Sequence, residues 1–444
     1  MVEPLQSNAP NAGLTLRFVL LGVASLFTVG GGVCLRPELL ATYHYNQHII
    51  ALTHVVTLGF AASIIMGALY QLAPVVLEIR LHSERLVRWH FAAHVVGLAG
   101  MVSSFWIWDL KLAGLFGCVM GLGIGLFAYN LGRTIARAPE WNVVALAISS
   151  ALFWLAATLL AGLYLAATKC WSFSPFAGIS AMHAHAHLGG IGVFLMLIAG
   201  VSFKLVPMFS LSEIQNARRA VGAILLLNAA LLGLFVTMLL SNPWKLAFSI
   251  LIVAALALYG WELIAILRAR KRQRLDWGLK YFITAVGLLG PVSLLGVFLS
   301  WPNLVVNERI GQLENVYGLL ALLGVVTLAI LGMLYKIVPF LVWQTRYSRE
   351  IGRNKVPTLA DLYSAPLQAL GYWIYVAGLL AVCVTTILGR EQGIRWSGAL
   401  LCAALAIFAI NMAKILSHLV VVRTRFTASL NSPAMLEDHE SPQH

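Results

Sequence analysis

The chain has 444 residues, of which 60% are hydrophobic and 11% charged, with a mean hydropathy of +0.85. Soluble domains carry about 25% charged residues, so a soluble globular protein is excluded, as are disorder and a coiled coil. A membrane β-barrel is excluded too, because the apolar runs are continuous rather than alternating.

The net charge of +13, from 30 Lys+Arg against 17 Asp+Glu, reads as membrane topology, and no nucleic-acid partner is expected. At about 35 residues per span and loop, the chain holds about 12 spans. Residues 1–14 form a polar N-terminal tail without a basic n-region, so no cleavable signal is expected. Hydropathy and helix breakers then predict spans at 15–35, 48–77, 87–108, 110–131, 142–168, 180–209, 220–240, 245–268, 278–300, 312–343, 366–388 and 397–421. A polar tail, 426–444, follows. The expected fold class is an all-α membrane protein with 12 transmembrane helices, one membrane domain over 15–425. Spans two, six and ten are long for a simple crossing, which predicts tilt or protrusion.

Lys and Arg fall unequally on the two sides. Loops after even-numbered spans and the C-terminal tail hold 18 of them, including Arg268, Arg270, Lys271, Arg272 and Arg274, while the opposite side holds 7. The positive-inside rule therefore puts both termini in the cytoplasm. The 268–274 cluster also suits anionic lipid.

An internal triplication is the strongest pattern. Gly59, Gly67, Tyr70 and Pro74 recur as Gly192, Gly200, Phe203 and Pro207, and again as Gly324, Gly332, Tyr335 and Pro339. The prolines are 133 and 132 residues apart. Each copy predicts a four-span quartet, with approximate limits 15–140, 141–275 and 276–425, and the motif falls on its second span. Glycines eight apart lie within about 80° on a helix, so both face one neighbour. The aromatic and the proline fall at the cytoplasmic end, where a helix can stop cheaply. Repeats of this kind predict pseudosymmetry with function at the repeat interfaces.

Histidines gather at the outer ends of spans two and six. His44 and His48 precede or open span two, and His54 lies about two turns in. His183, His185 and His187 open span six in the run MHAHAHLGG. Twenty residues before the motif proline stand His54, His187 and Leu319, so two quartets place an imidazole at one depth. His183 and His187 share a helix face and His185 points away. Imidazole suits iron, copper and zinc, and intramembrane polar groups are usually functional. Snorkelling to interfacial water is the alternative reading, strongest for His44 and His48. His90 and His94 near span three and His418 at the end of span twelve define a candidate inner site, with an interfacial role as the alternative. By rise per residue, His94 should lie most of a membrane thickness from His54.

Other chemistry is not indicated. The five cysteines, Cys34, Cys118, Cys170, Cys383 and Cys402, form no CxxC pair. Glu262 falls near the middle of span eight, with Asp109 and Glu314 near span ends. No Walker loop, nucleophile elbow, HExxH or Ser-His-Asp arrangement occurs. Several of the 13 tryptophans sit near span ends, as an aromatic belt does.

Three four-helix arcs with histidines on the outer halves of even spans resemble subunit I of heme-copper oxidases and nitric oxide reductases. The segments HVVTLGFAASIIMGALYQLAP from His54 and HAHAHLGGIGVFLMLIAGVSFKLVP from His183 are similar to that family's helix openings. The resemblance implies heme b, with His54 and His187 as first-choice iron ligands and His185 as the alternate. It also implies copper as a further candidate, with His183, His48 and His44 as metal ligands. The family's H-x-H run sits on span ten, which here reads ENVYGLLALLG, and its adjacent histidine pair after span seven is absent; Asn228 is the notable polar residue there. The cross-linked tyrosine has no counterpart either. The complete ligand set of the family therefore does not carry over, and the H-x-H ligand is displaced by one repeat. Heme- and copper-containing NnrS-type proteins of nitric oxide response are a nearer functional model.

The reading that follows is a bacterial inner-membrane heme protein in electron transfer or in binding of a gas such as nitric oxide or oxygen. If it is an enzyme, it is an oxidase- or reductase-like oxidoreductase. Membrane lipid surrounds it, and a small membrane subunit or a cytochrome c-type protein is the expected partner. Two alternatives stand beside it. A transporter or metal permease is opposed by three quartets in place of two halves. A scaffold or assembly subunit would keep the Gly/Pro framework and bind nothing.

Overall fold

The computed structural model of the chain describes residues 10–173, 175–176, 178–305 and 307–419. The expected C-terminal tail, 426–444, lies outside the described residues, as do Arg423 and Arg425 before it. Among the described residues, twelve helices are long and apolar enough to cross a membrane. They are α1 Ala12–Leu35, α2 Gln47–Val76, α3 Glu84–Ile107, α4 Leu110–Ile135, α5 Val143–Trp171, α6 Gly178–Ser210, α7 Ala217–Leu239, α8 Lys245–Arg268, α9 Trp277–Leu299, α10 Glu308–Arg346, α11 Ala365–Ile387 and α12 Glu391–Ser417. The ends differ from the hydropathy reading mainly where a helix continues into polar sequence. α12 begins at Glu391, and α10 runs from Glu308 to Arg346, because backbone hydrogen bonding does not stop at the edge of the apolar stretch.

Consecutive helices pack on one another in turn, and α1 closes the ring against α12. The most apolar windows of α2, α6 and α10 are 56%, 78% and 67% buried, against 17–44% in the other nine helices. Those three therefore form the interior, and the rest form the lipid-facing wall. Side chains such as Leu160, Leu294 and Ile410 are more than half exposed on that wall, as expected where the bilayer is the solvent. Ile65, Leu69, Val201, Leu205, Met333 and Ile337 border an apolar cavity of about 80 Å³ between the three inner helices.

The inner helices share an irregularity. Each widens into a π-helical stretch, Val55–Ala62 in α2, Leu188–Leu195 in α6 and Leu320–Val326 in α10. The stretches begin 133 and 132 residues apart, each directly after the position held by His54, His187 or Leu319. Widening the helix shifts carbonyls out of the ordinary ladder. The Ser63 hydroxyl donates to the Leu58 carbonyl at 3.0 Å, and Thr327 to the Leu322 carbonyl at 2.8 Å. Stretches of two inner helices also touch their counterpart in α10.

The motif glycines all serve close approach to the preceding helix. A Cβ on Gly59 or Gly67 would strike Ser25 or Phe18 of α1, at 2.6 Å and 2.5 Å. On Gly192 or Gly200 it would strike Trp154 or Ala147 of α5, at 2.7 Å and 2.0 Å. Gly324 faces Leu288 of α9 at 3.0 Å, and Gly332 faces the Gly278 carbonyl at 2.5 Å. The last contact is backbone on both sides and cannot be relieved by a rotamer. Gly332→Val should therefore destabilise the detergent-solubilised protein by about 1–3 kcal/mol, the usual cost of overpacking. Gly222→Ala, where nothing lies within 4 Å, should not lower the thermal midpoint and should raise it slightly, since alanine favours the helix.

The motif prolines lie near the ends of their helices: Pro74, Pro207 and Pro339 are followed by helix as far as Val76, Ser210 and Arg346, within three residues of the expected ends. Near a helix C-terminus a proline loses one hydrogen bond, and the following turns still close. Glu262 is not at mid-span. It lies toward the end of α8, where it accepts from the backbone amides of Gln215 and Asn216 before α7.

Candidate functional site

Three groups of polar side chains collect where α2, α6 and α10 begin. The first joins α2 and α6. His54 Nδ1 is 2.8 Å from the Ile50 carbonyl. A carbonyl only accepts, so the proton is on Nδ1 and Nε2 carries the lone pair. That is the tautomer a metal-ligating histidine uses, with its other nitrogen tied to the backbone. The ring packs on Phe105 of α3, with centroids 4.8 Å apart. His185 leaves α6 toward α5, where its ring lies 3.0 Å from the place a Gly162 Cβ would take. Its Nδ1 is buried without a hydrogen-bond partner. His185 lies within electrostatic reach of His54 and beside the Thr158 carbonyl. Both residues are half-buried.

The second group joins α6 and α10. His187 Nδ1 is 2.8 Å from the His183 carbonyl, the same arrangement as His54. Its Nε2 is 3.1 Å from the Tyr317 hydroxyl, and the two rings stack at 5.8 Å. Since Nδ1 holds the ring proton, the tyrosine donates. Tyr317 in turn lies against Gly296 of α9, as His185 does against Gly162 of α5. Tyr317 was not singled out from the sequence, yet register points to it. It stands 22 residues before Pro339, where His185 stands before Pro207.

The third group lies at the ends of the inner helices. His44, in the loop after the short helix Glu38–Ala41, has its Nε2 3.3 Å from His183 Nε2, with the rings stacked. Its Nδ1 is 3.7 Å from Glu314 Oε2 of α10. Burial draws the His44 imidazole below its ordinary pKa. His48, expected to join these ligands, instead packs edge-on against Trp106 at 4.5 Å.

The expected inner site is placed differently. His90 and His94 are fully buried, not interfacial. His94 Nε2 is 3.1 Å from the Leu58 carbonyl and 2.9 Å from Ser63 Oγ. His94 thus sits at the depth of residues four to nine positions beyond His54, at most about 13 Å along the axis. It is not most of a membrane thickness away. The count failed because it ignored how α3 is staggered against α2. His90 Nδ1 meets the Tyr70 hydroxyl at 3.0 Å, and Phe18 and Phe127 pack its ring. His90 Nε2 and His94 Nδ1 have no partner either, and the Phe18 ring packs against both imidazoles. His418 does not join the pair: its Nδ1 is 2.8 Å from the Tyr347 hydroxyl at the end of α10.

No protein-family model and no curated protein match the chain. Among solved structures, it is similar to a heme-copper terminal oxidase determined as a dimer by cryo-EM, with TM-score 0.66 and 10% identity over 92% of this chain and 85% of that one. Its fold resembles that of heme-copper oxidase subunit I. It is a multi-pass membrane protein.

Proposed function

We propose that this protein is a heme-binding redox protein of a bacterial inner membrane, working in electron transfer or in binding of a diatomic gas. His54 and His185 would hold heme b between α2 and α6. The observation that carries this reading is the pairing of His54, whose Nε2 lone pair is unengaged, with His185, whose buried Nδ1 lacks a partner. A bis-imidazole heme supplies a reversible one-electron iron couple. The protein's part is orientation and exclusion. Ile50 fixes the His54 tautomer. Gly162 makes room for the His185 ring, and Phe105 covers the His54 ring. His187 is the weaker second ligand, because its lone pair already accepts a hydrogen bond from the Tyr317 hydroxyl. That bond ties α6 to α10.

The same reading includes three pseudo-symmetric quartets with both termini cytoplasmic. It is supported by the recurrence of the π-helical stretches and of the glycine contacts, and by the distribution of Lys and Arg. A cytochrome c-type protein or a small membrane subunit would be the electron partner. Copper is a further candidate at the outer histidines.

The test is the absorption spectrum of the full chain purified from heme-replete cells, before and after dithionite. A Soret band with sharp reduced α and β bands is expected. A colourless protein under those conditions would overturn the reading.

A further inference from the structure

We propose that His44, His183 and Glu314 form a binding site for a divalent transition-metal ion of the zinc or cobalt type, separate from the heme pocket. The loop before α2, α6 and α10 supply one ligand each. Two nitrogens held at 2.0–2.1 Å by a tetrahedral ion are about 3.3–3.4 Å apart, and the two Nε2 atoms stand 3.3 Å apart. One donor atom from each residue lies within 4.8 Å of the others. Two imidazole nitrogens and one carboxylate oxygen form a donor set that such ions accept, leaving a fourth position open.

The local bookkeeping of hydrogen bonds points the same way. His44 Nδ1 and Glu314 Oε2 are both buried and both without a hydrogen-bond partner. Protein interiors rarely leave such atoms unsatisfied. With an ion on the two Nε2 atoms, His44 Nδ1 carries its proton toward one oxygen of the Glu314 carboxylate, and the other oxygen is the one offered to the metal. The Tyr43 hydroxyl lies against the Glu314 carboxylate, and the Tyr43 ring packs on His44 at 4.4 Å. These contacts orient the ligands from behind. Lys245 lies within electrostatic reach of Glu314 and His183, so it opposes a cation and sets an upper limit on affinity. The competing arrangement is a bare imidazole–imidazole hydrogen bond with no ion.

Equilibrium dialysis of the full-length protein against Zn²⁺, followed by elemental analysis, tests the proposal. Elemental analysis reads zinc whether or not heme is bound, so its failure is distinct from failure of the heme reading. The expected result is one zinc per chain, with Glu314→Gln and His183→Ala each weakening binding by about 100-fold, the upper end of the loss from disturbing a metal's supporting residues. His48→Ala should bind as wild type. Glu314→Gln keeps shape and size, so it remains informative if His183→Ala fails to fold. X-ray absorption of the Co²⁺-loaded protein should show nitrogen and oxygen neighbours only. Absence of stoichiometric zinc in the wild type, or binding unaffected by Glu314→Gln, would overturn it.

Discussion

Replacing His54 with Ala should abolish the sharp reduced α band and lower heme content at least about tenfold, since disturbing even the residues that support a metal ligand costs 10–100-fold. The backbone of α2 has little reason to change, because the Ile50 carbonyl that His54 engages remains inside a helix. What is lost is the unengaged Nε2. His185→Ala should have the same effect, since its ring fills the space left by Gly162 within electrostatic reach of His54. His187→Ala should retain the heme and shift its bands slightly, through loss of the hydrogen bond from Tyr317. This order separates the two candidate ligands on α6. A spectrum that vanishes in His187→Ala and survives in His185→Ala would reverse their roles. One that survives in His54→Ala would remove the α2–α6 pocket from the account.

Arg219→Ala should unfold the bundle at markedly lower denaturant, with a loss of about 3–5 kcal/mol, the cost of stranding a buried charge. Glu262 is fully buried, and Arg219 Nε and Nη2 reach the same Oε2 at 2.7 Å and 2.6 Å. Its Oε1 accepts from the Gln215 and Asn216 amides at 2.6 Å and 2.9 Å. This carboxylate ties the end of α8 to the turn that starts α7. Removing the guanidinium leaves the charge with two amide donors only. The double replacement Arg219→Met, Glu262→Met should cost far less, because two apolar groups restore packing without a stranded charge. Denaturation of the detergent-solubilised variants, read by helical circular dichroism, checks both. A single variant within about 1 kcal/mol of wild type would show that the pair is solvated.

The amino-acid sequence alone determined the solvent and the number of spans, and it carries the repeated motif of the three long helices. Its apolar runs are long enough to require the bilayer. The G-x7-G…P pattern recurs where Gly59, Gly200 and Gly332 meet α1, α5 and α9. The sequence also put His54 and His187 at equivalent places in the motif, 20 residues before its proline, while the π-helical stretch that follows each emerged only in the structure. Residue spacing along one helix sets depth and relative direction, so the motif positions were readable.

Only the tertiary structure decided which neighbour each imidazole meets. His185 turns to α5 and His187 to Tyr317. His183 reaches a loop residue far away in sequence, and Glu314 completes that group from α10. The depth of His94 depends on the stagger of α3 against α2, as its bond to the Leu58 carbonyl shows. The physical reason is common to all of these. A helix fixes the angles between its own side chains, at about 100° per residue, but the rotation and height of the next helix come from how the two surfaces pack.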